Sequence, residues 1–290
     1  MADGGAAGLA AAGGSSSGAG ASSGGVASGG GGAGGAGGSA SAGPAIPALP
    51  ATCPQIAEGN ISVLGQQVRI WTGPAGTKGP LVFYWHGTGG MPDEALFGFG
   101  AGLKEVRASG GVVASFSTST GQGQETGNMV WHVGDFAMTD IIFACAVEQG
   151  LVEAQKVYTA GCSAGGLQAS AMVYSRSKYL AAAMPNSGGI YSNWTLQDAA
   201  HVPALITTHG GATDFVKISF AEASARLDQD IKAKGGFVVN CDHGGDHCAS
   251  PENVKVAQWQ FLKAHPFGVK PEPYAAGLPQ GFPNDCQIIQ

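Results

Sequence analysis

The sequence predicts one α/β domain with a mostly parallel sheet and helices on both faces, behind a low-complexity leader. From residue 66 onward, short β-rich runs alternate with amphipathic helical stretches, which is typical of such a sheet. The first 43 positions contain 18 of the 50 glycines. Removing about 50 residues leaves roughly 240, which suits one domain better than two small ones.

The leader covers residues 1–50 and the folded domain residues 51–290. Positions 4–57 carry no charged residue and few bulky aliphatics, so they cannot span a membrane, and no transmembrane segment is expected elsewhere. Gly, Ser and Ala bury too little apolar area to offset chain entropy. We expect a disordered tether reaching about 40 Å on average. A tail without function is the alternative.

The elements of the domain follow in order. Strands rich in β-branched and aromatic residues are predicted over 66–71, 81–85, 112–116, 156–160, 181–184, 204–208 and 237–240, with an antiparallel edge strand over 61–64. Helices are predicted over 94–108, 135–149, 164–177, 215–234 and 252–264. The proline-rich tail after Pro266 is expected to run extended over the surface.

The charge pattern argues against some partners. The net charge is −6, from 14 basic and 20 acidic residues, without the Lys/Arg cluster that a nucleic-acid site needs. Only 12% of residues are charged, which suits a neutral or polymeric substrate, although the leader dilutes that fraction. The glycine-rich stretch 87–90 is not followed by G-K-[ST], so we expect no nucleotide. We expect a monomer.

Six cysteines form an even set without the paired C-x-x-C spacing of a zinc site. Disulfides are therefore expected in preference to metal ligation. Disulfides imply an oxidising compartment, so we expect a secreted or surface-tethered protein. The chain opens without a basic n-region or an apolar h-region, and we interpret it as a mature sequence from which an export signal has been removed.

The strongest motif is G-C-S-A-G at positions 161–165, between a predicted strand and a predicted helix. A G-x-S-x-G segment in this context is typical of a nucleophilic serine on a sharp, strained turn, here Ser163. A helix N-terminus beside it would stabilise a developing anion. The turn predicts a catalytic serine at the carboxyl edge of the sheet.

A serine nucleophile needs a base and an orienting carboxylate. Asp214 closes the loop after strand 204–208 and is the candidate carboxylate, whereas Asp228 and Asp230 lie in a predicted helix and are expected on its solvated face. Chain order leaves three histidines, of which His265 is most simply a helix cap. His247 is preferred to His243 because a cysteine follows it.

Cys162 precedes the serine and Cys248 follows the histidine. A disulfide between them would pin the two loops together and stabilise the fold by roughly 4 to 5 kcal/mol in the chain-entropy treatment. The alternative is that Cys162 is a buried thiol and Cys248 pairs with Cys241. If Cys162 and Cys248 pair with each other, the other four cysteines allow three connectivities.

Together, Cys162-Ser163, Asp214 and His247-Cys248 resemble the CS-D-HC motif of the tannase and feruloyl esterase family. The resemblance implies an α/β-hydrolase fold, joined cysteines and a Ser-Asp-His triad. An acyl-enzyme mechanism with this triad requires no cofactor or metal. Only 50 residues separate the serine from the acid, so the large lid domain of that family is absent. In compactness the chain is similar to small secreted polyhydroxybutyrate depolymerases and feruloyl esterases.

The oxyanion hole requires two backbone donors. We assign the N–H of Ala164, next to the nucleophile, and the N–H of Thr88, in a loop that resembles the HG-x element of α/β-hydrolases. Trp131 and Trp194 could line an apolar subsite for the substrate, with ordinary packing as the alternative.

The sequence thus predicts a secreted serine esterase that acts through an acyl-enzyme on aromatic, feruloyl-type esters or on polyesters. A polyhydroxyalkanoate depolymerase or an aromatic polyester hydrolase is the alternative within this class. Acyl transfer to an alcohol would use the same residues. The non-enzyme alternative is a surface-tethered binding module that kept the fold.

Overall fold

The computed structural model describes residues 43–290, and this part of the chain is built on a long mixed sheet. Its strands are β1 Gly59–Val63, β2 Gln66–Thr72, β3 Gly79–Trp85, β4 Val112–Phe116, β5 Val152–Cys162, β6 Ala182–Asn186, β7 Ala204–His209, β8 Phe215–Val216, β9 Ile218–Ser219, β10 Val238–Asp242 and β11 Cys286–Ile288. Nine of them form one sheet in the order β1-β2-β4-β3-β5-β6-β7-β10-β11. The six strands from β4 to β10 in that order are parallel.

Helices cover both faces of the sheet. They are α1 Ala95–Gly98, α2 Ala101–Ala108, α3 Phe136–Glu148, α4 Ala164–Ser175, α5 Phe220–Ala233 and α6 Glu252–Ala264. Helices α3, α4 and α5 contribute to the core on one face, and α2 and α6 to the core on the other. Every residue of β3 is buried because successive side chains enter opposite, equally covered faces. The predicted α/β class is confirmed.

Two predicted helices are interrupted. The helix expected over 94–108 is split into a 3₁₀ turn at Pro92–Glu94 and the helices α1 and α2. The helix expected over 215–234 begins only at Phe220, because residues 215–219 form the small hairpin β8–β9. Ser219 caps α5 by accepting a hydrogen bond from the Glu222 N–H at 3.3 Å.

The C-terminal tail differs from the expectation as well. It does not only run over the surface, since Cys286–Ile288 forms β11 and pairs antiparallel with β10. A disulfide between Cys241 and Cys286 joins these two strands, and another joins Cys53 to Cys145. The alternative pairing of Cys248 with Cys241 is therefore wrong.

Most of the leader predicted over residues 1–50 lies outside the described residues. Residues 43–50 have no regular structure, yet the Ala45 N–H donates to Lys178 O at 2.9 Å. This contact lies ahead of the predicted domain boundary at residue 51. Within residues 43–290, no helix has both the length and the apolar character that crossing a bilayer requires.

Candidate active site

The candidate residues converge at the carboxyl edge of the parallel strands. The loops that follow β3, β5, β7 and β10 carry Thr88, Ser163, Asp214 and His247, respectively. Because parallel strands end at the same edge, residues far apart in sequence become neighbours there. This edge is where open α/β sheets bind ligands.

Ser163 lies between the end of β5 and the start of α4 in a left-handed conformation, with φ 56° and ψ −119°. Such backbone strain in a non-glycine residue is characteristic of functional sites. The turn depends on a small neighbour, since a Cβ at Gly165 would overlap the carbonyl of Trp85 on β3. Ser163 is half-buried, and its N–H donates to Asn186 O at 3.0 Å.

His247 and Asp214 form a short hydrogen bond. His247 Nδ1 lies 2.6 Å from Asp214 Oδ1, and the carboxylate is fully buried. Burial raises the pKa of Asp214, but hydrogen bonds from His247, the Gly210 N–H and Ser187 outweigh it, so the pKa is lowered overall. The carboxylate therefore stays ionised and fixes the tautomer with the proton on Nδ1, which leaves Nε2 to accept a proton.

The competing histidines do not hydrogen-bond to this carboxylate. His243 accepts from the Gly245 N–H, and His265 contacts Phe261 O and Glu272. His247 also packs against Phe220 at the start of α5, with ring centroids 4.6 Å apart and ring planes at 36°. The imidazole is thus held from one side by a carboxylate and from another by an aromatic ring.

Ser187 is a part of the site that the sequence analysis missed. Its hydroxyl is fully buried, donates to Asp214 Oδ2 at 2.7 Å and accepts from the Cys248 N–H at 3.1 Å. One side chain therefore connects the acid with the loop that carries His247. A polar pair at the end of a buried strand, Asn186-Ser187, was the available signal in the sequence.

The disulfide of the site joins Cys162 to Cys248, with Cα atoms 5.9 Å apart. A ring nitrogen of His247 lies within 4.8 Å of both sulphurs. The bridge therefore places the imidazole beside the strand end that carries Ser163. These three residues are the group of possible metal ligands found in the described chain, but sulphurs bonded to each other are not thiolates.

The two residues assigned to the oxyanion hole also border this edge. Ala164 is the first residue of α4, where a backbone N–H has no partner within the helix. Thr88 is exposed in the loop after β3. The adjacent Gly87 packs against Ser163, since a Cβ placed on it would lie 3.4 Å from Ser163 Cβ.

The two tryptophans expected at a substrate subsite both contribute to packing. Trp131 is fully buried and packs edge-on against Trp85, and its indole N–H donates to His86 O at 3.1 Å. Trp194 stacks on Tyr174 in the last turn of α4. Tyr174 is eleven positions after Ser163 along this helix, about 16 Å at the helical rise. Both tryptophans pack in or against the core.

A buried polar cluster lies behind the site, between α5, β7 and β10. Asp228 is 2% exposed, and it accepts from Thr207 Oγ1 at 2.9 Å and from Asn240 Nδ2 at 2.8 Å. Burial raises the pKa of Asp228 to about 7, against the effect of those hydrogen bonds. The expectation of a solvated Asp228 is wrong, because this face of α5 packs on the sheet.

Comparisons with known proteins agree with this architecture. Searches against protein-family profiles and curated proteins find no match. Among solved structures, native pOPH is similar with a TM-score of 0.63 and 16% identity, over 83% of this chain and 96% of that one. The Bacillus cereus carboxylesterase is similar with a TM-score of 0.52 and 13% identity, over 69% of this chain and 94% of that one.

A thermostable esterase from Pseudomonas putida ECU1011 is similar as well, with a TM-score of 0.51 and 14% identity over 76% of this chain and 85% of that one. At such identities the likeness establishes the fold. The chain has an α/β-hydrolase fold. The resemblance to the tannase and feruloyl esterase family stays a prediction.

Proposed function

We propose that this protein is a serine carboxylic-ester hydrolase that acts through an acyl-enzyme. The observation that carries the proposal is the connection of Ser163, in its strained turn, to His247 through the disulfide of their neighbouring cysteines. His247 is in turn held by the buried carboxylate of Asp214 at 2.6 Å. The fold, which esterases share, supports the same class.

In this mechanism Ser163 Oγ attacks the ester carbonyl and transfers its proton to His247 Nε2. Asp214 stabilises the imidazolium that forms. The N–H groups of Ala164 and Thr88 donate to the oxyanion, for which one donor is worth about 3 to 4 kcal/mol. His247 protonates the departing alcohol and then activates a water molecule, which releases the acid and restores the serine.

We propose aromatic, feruloyl-type esters or polyesters as the substrates. We also propose that the enzyme acts on them outside the cell. Apolar side chains on the segments that follow β3 and β7 support an extended apolar substrate, because Met91, Phe97 and Phe215 are each more than 60% exposed. The three disulfides support an oxidising compartment.

A panel of p-nitrophenyl butyrate, methyl ferulate, polyhydroxybutyrate film and an aromatic polyester tests the proposal. We expect turnover of at least one ester by the wild type and a loss of at least about 1,000-fold in Ser163→Ala. Ser175→Ala, at the other end of α4, is the matched control and should keep full activity. No turnover of any ester by the wild type would favour the binding-module alternative, and turnover unchanged in Ser163→Ala would refute the nucleophile.

A further inference from the structure

Behind the loop that follows β3 lies a half-buried carboxylate, that of Glu94. The Gly87 N–H donates to both of its oxygens, at 3.2 and 3.1 Å. The hydroxyl of the buried Tyr84 donates to Oε1 at 3.0 Å. The loop is thus wrapped around a side chain to which the proposed mechanism gives no role.

Gly87 lies between this carboxylate and the nucleophile. A Cβ placed on Gly87 would be 3.4 Å from Cys162 O, 3.4 Å from Ser163 Cβ and 3.7 Å from Glu94 Oε2. The gap between the backbone of residue 87 and the strand end that carries Ser163 is therefore only about one carbon atom wide. A shift of this backbone would change the geometry beside the nucleophile directly.

The same backbone sets the direction of the Thr88 N–H. The carbonyl of Gly87 and the N–H of Thr88 belong to one trans peptide unit, so they point in opposite directions. Gly87 O accepts from the Gly90 N–H at 2.9 Å and lies 2.8 Å from His86 Nδ1. With the N–H of Gly87 held by Glu94 and its carbonyl held from the other side, the Thr88 N–H has one orientation.

The negative charge of Glu94 is not what this loop requires. Burial raises the pKa of Glu94, and the hydrogen bonds from Gly87 and Tyr84 and the nearby His86 offset this only in part. A negative charge close to a developing oxyanion also disfavours the transition state. What the loop requires from residue 94 is an acceptor for the Gly87 N–H, and a neutral amide oxygen can supply that.

We propose that Glu94 is a positioning residue for the oxyanion hole: it accepts the Gly87 N–H and so holds the Thr88 N–H in line with the carbonyl oxygen under attack. The proposal rests on the proposed esterase function. The hydrogen bonds of the Glu94 carboxylate go to Gly87 and Tyr84, so we assign it this positioning role and no step of the chemistry.

Steady-state kinetics of Glu94→Ala and Glu94→Gln with p-nitrophenyl butyrate test this role. In Glu94→Ala we expect kcat to fall about 10- to 100-fold with KM within about threefold of wild type, because the lost interaction belongs to the transition state. Glu94→Gln should keep kcat within about threefold of wild type, since its amide oxygen still accepts the N–H. Asp93→Ala, an exposed carboxylate on the same 3₁₀ turn, is the matched control.

Inhibition by phenylboronic acid, which forms a tetrahedral adduct with a catalytic serine, gives a second readout. The inhibition constant should rise in Glu94→Ala by the same factor as kcat/KM falls, and should not change in Asp93→Ala. A kcat of Glu94→Ala within twofold of wild type, or a Glu94→Gln as impaired as Glu94→Ala, overturns the proposal. Equal hydrolysis by the wild type and Ser163→Ala would instead defeat the proposed function.

If Glu94→Ala does not fold, as judged by circular dichroism, Tyr84→Phe replaces it. This variant removes the hydroxyl that donates to Oε1 and keeps the ring in the core. We expect kcat to fall about three- to tenfold at unchanged KM, the loss of one hydrogen bond to a charged acceptor. An unchanged kcat in Tyr84→Phe would then overturn the proposal.

Discussion

Replacing Asp228 by Asn should make the protein more stable at alkaline pH. Asp228 is buried among Thr207, Asn240 and the backbone of β7 and β10, without a cationic partner within ion-pair distance in the described chain. Asn has nearly the same shape and can hydrogen-bond to the same two side chains. The substitution therefore removes a titrating group and leaves the packing in place.

The magnitude follows from the pKa of this carboxyl group, which burial raises from 3.8 to about 7. The folded state holds the Asp228 proton to higher pH than the unfolded state does. The contribution of this group to the free energy of unfolding is therefore complete below pH 3.8, and it is lost as the pH rises through 7. Three pKa units correspond to about 4 kcal/mol, of which about 3 kcal/mol is lost between pH 4.5 and pH 8.5. Above pH 8.5 the loss levels off.

Urea unfolding of the wild type and Asp228→Asn across this pH range measures the effect. The free energy of unfolding of the variant should gain about 3 kcal/mol on that of the wild type from pH 4.5 to pH 8.5. Glu222→Gln, exposed on the same helix, should show no such change and is the control. A difference between wild type and Asp228→Asn that is constant over the range would refute the reasoning.

Two further predictions concern the candidate site. Ser187→Ala removes the donor to Asp214 Oδ2 and the acceptor of the Cys248 N–H, so kcat for an ester should fall about tenfold with little change in KM; an unchanged kcat would show that Asp214 is held without it. Cys162→Ala/Cys248→Ala and the control Cys53→Ala/Cys145→Ala open loops of similar length, with sequence separations of 86 and 92. Each should lose about 4 to 5 kcal/mol by the chain-entropy treatment, yet only the first should also lower kcat. Equal kcat values in both double variants would mean that the bridge stabilises the fold without organising the site.

The sequence predicts the parallel sheet well because its strands are buried on both faces. Runs such as residues 81–85 and 112–116 are short and rich in β-branched and aromatic residues, which favours a buried strand over a helix. The turn around Ser163 can also be predicted from the sequence, since few sequences place a serine between small residues at the junction of a strand and a helix.

The interrupted helices show where pattern reading fails. Residues 94–108 continue a helical period, but Gly98 must admit the Tyr84 hydroxyl, which a Cβ at that position would overlap. This contact comes from Tyr84 on β3, fourteen residues earlier, and leaves no mark on the local period. In contrast, Ser219 followed three residues later by Glu222 is a helix-start signal, and it outweighs the apolar period over residues 215–218.

Only those residues of the site that belong to a local sequence motif could be predicted. Ser163, Asp214 and His247 stand in recognisable contexts, whereas Ser187 and Glu94 act through contacts that exist only after folding. The pairing of Cys53 with Cys145 and of Cys241 with Cys286 likewise depends on which strands become neighbours. The substrate class, the monomeric state and the secreted location stay predictions.

Covalent labelling by diisopropyl fluorophosphate tests the central claim most directly. This reagent phosphorylates a serine only where a base activates its hydroxyl and N–H groups donate hydrogen bonds to the developing oxyanion. Peptide mass mapping of the treated wild type should find one adduct per chain, on Ser163, and none in Ser163→Ala. An adduct on another serine, or an unlabelled protein that still hydrolyses esters, would contradict the account.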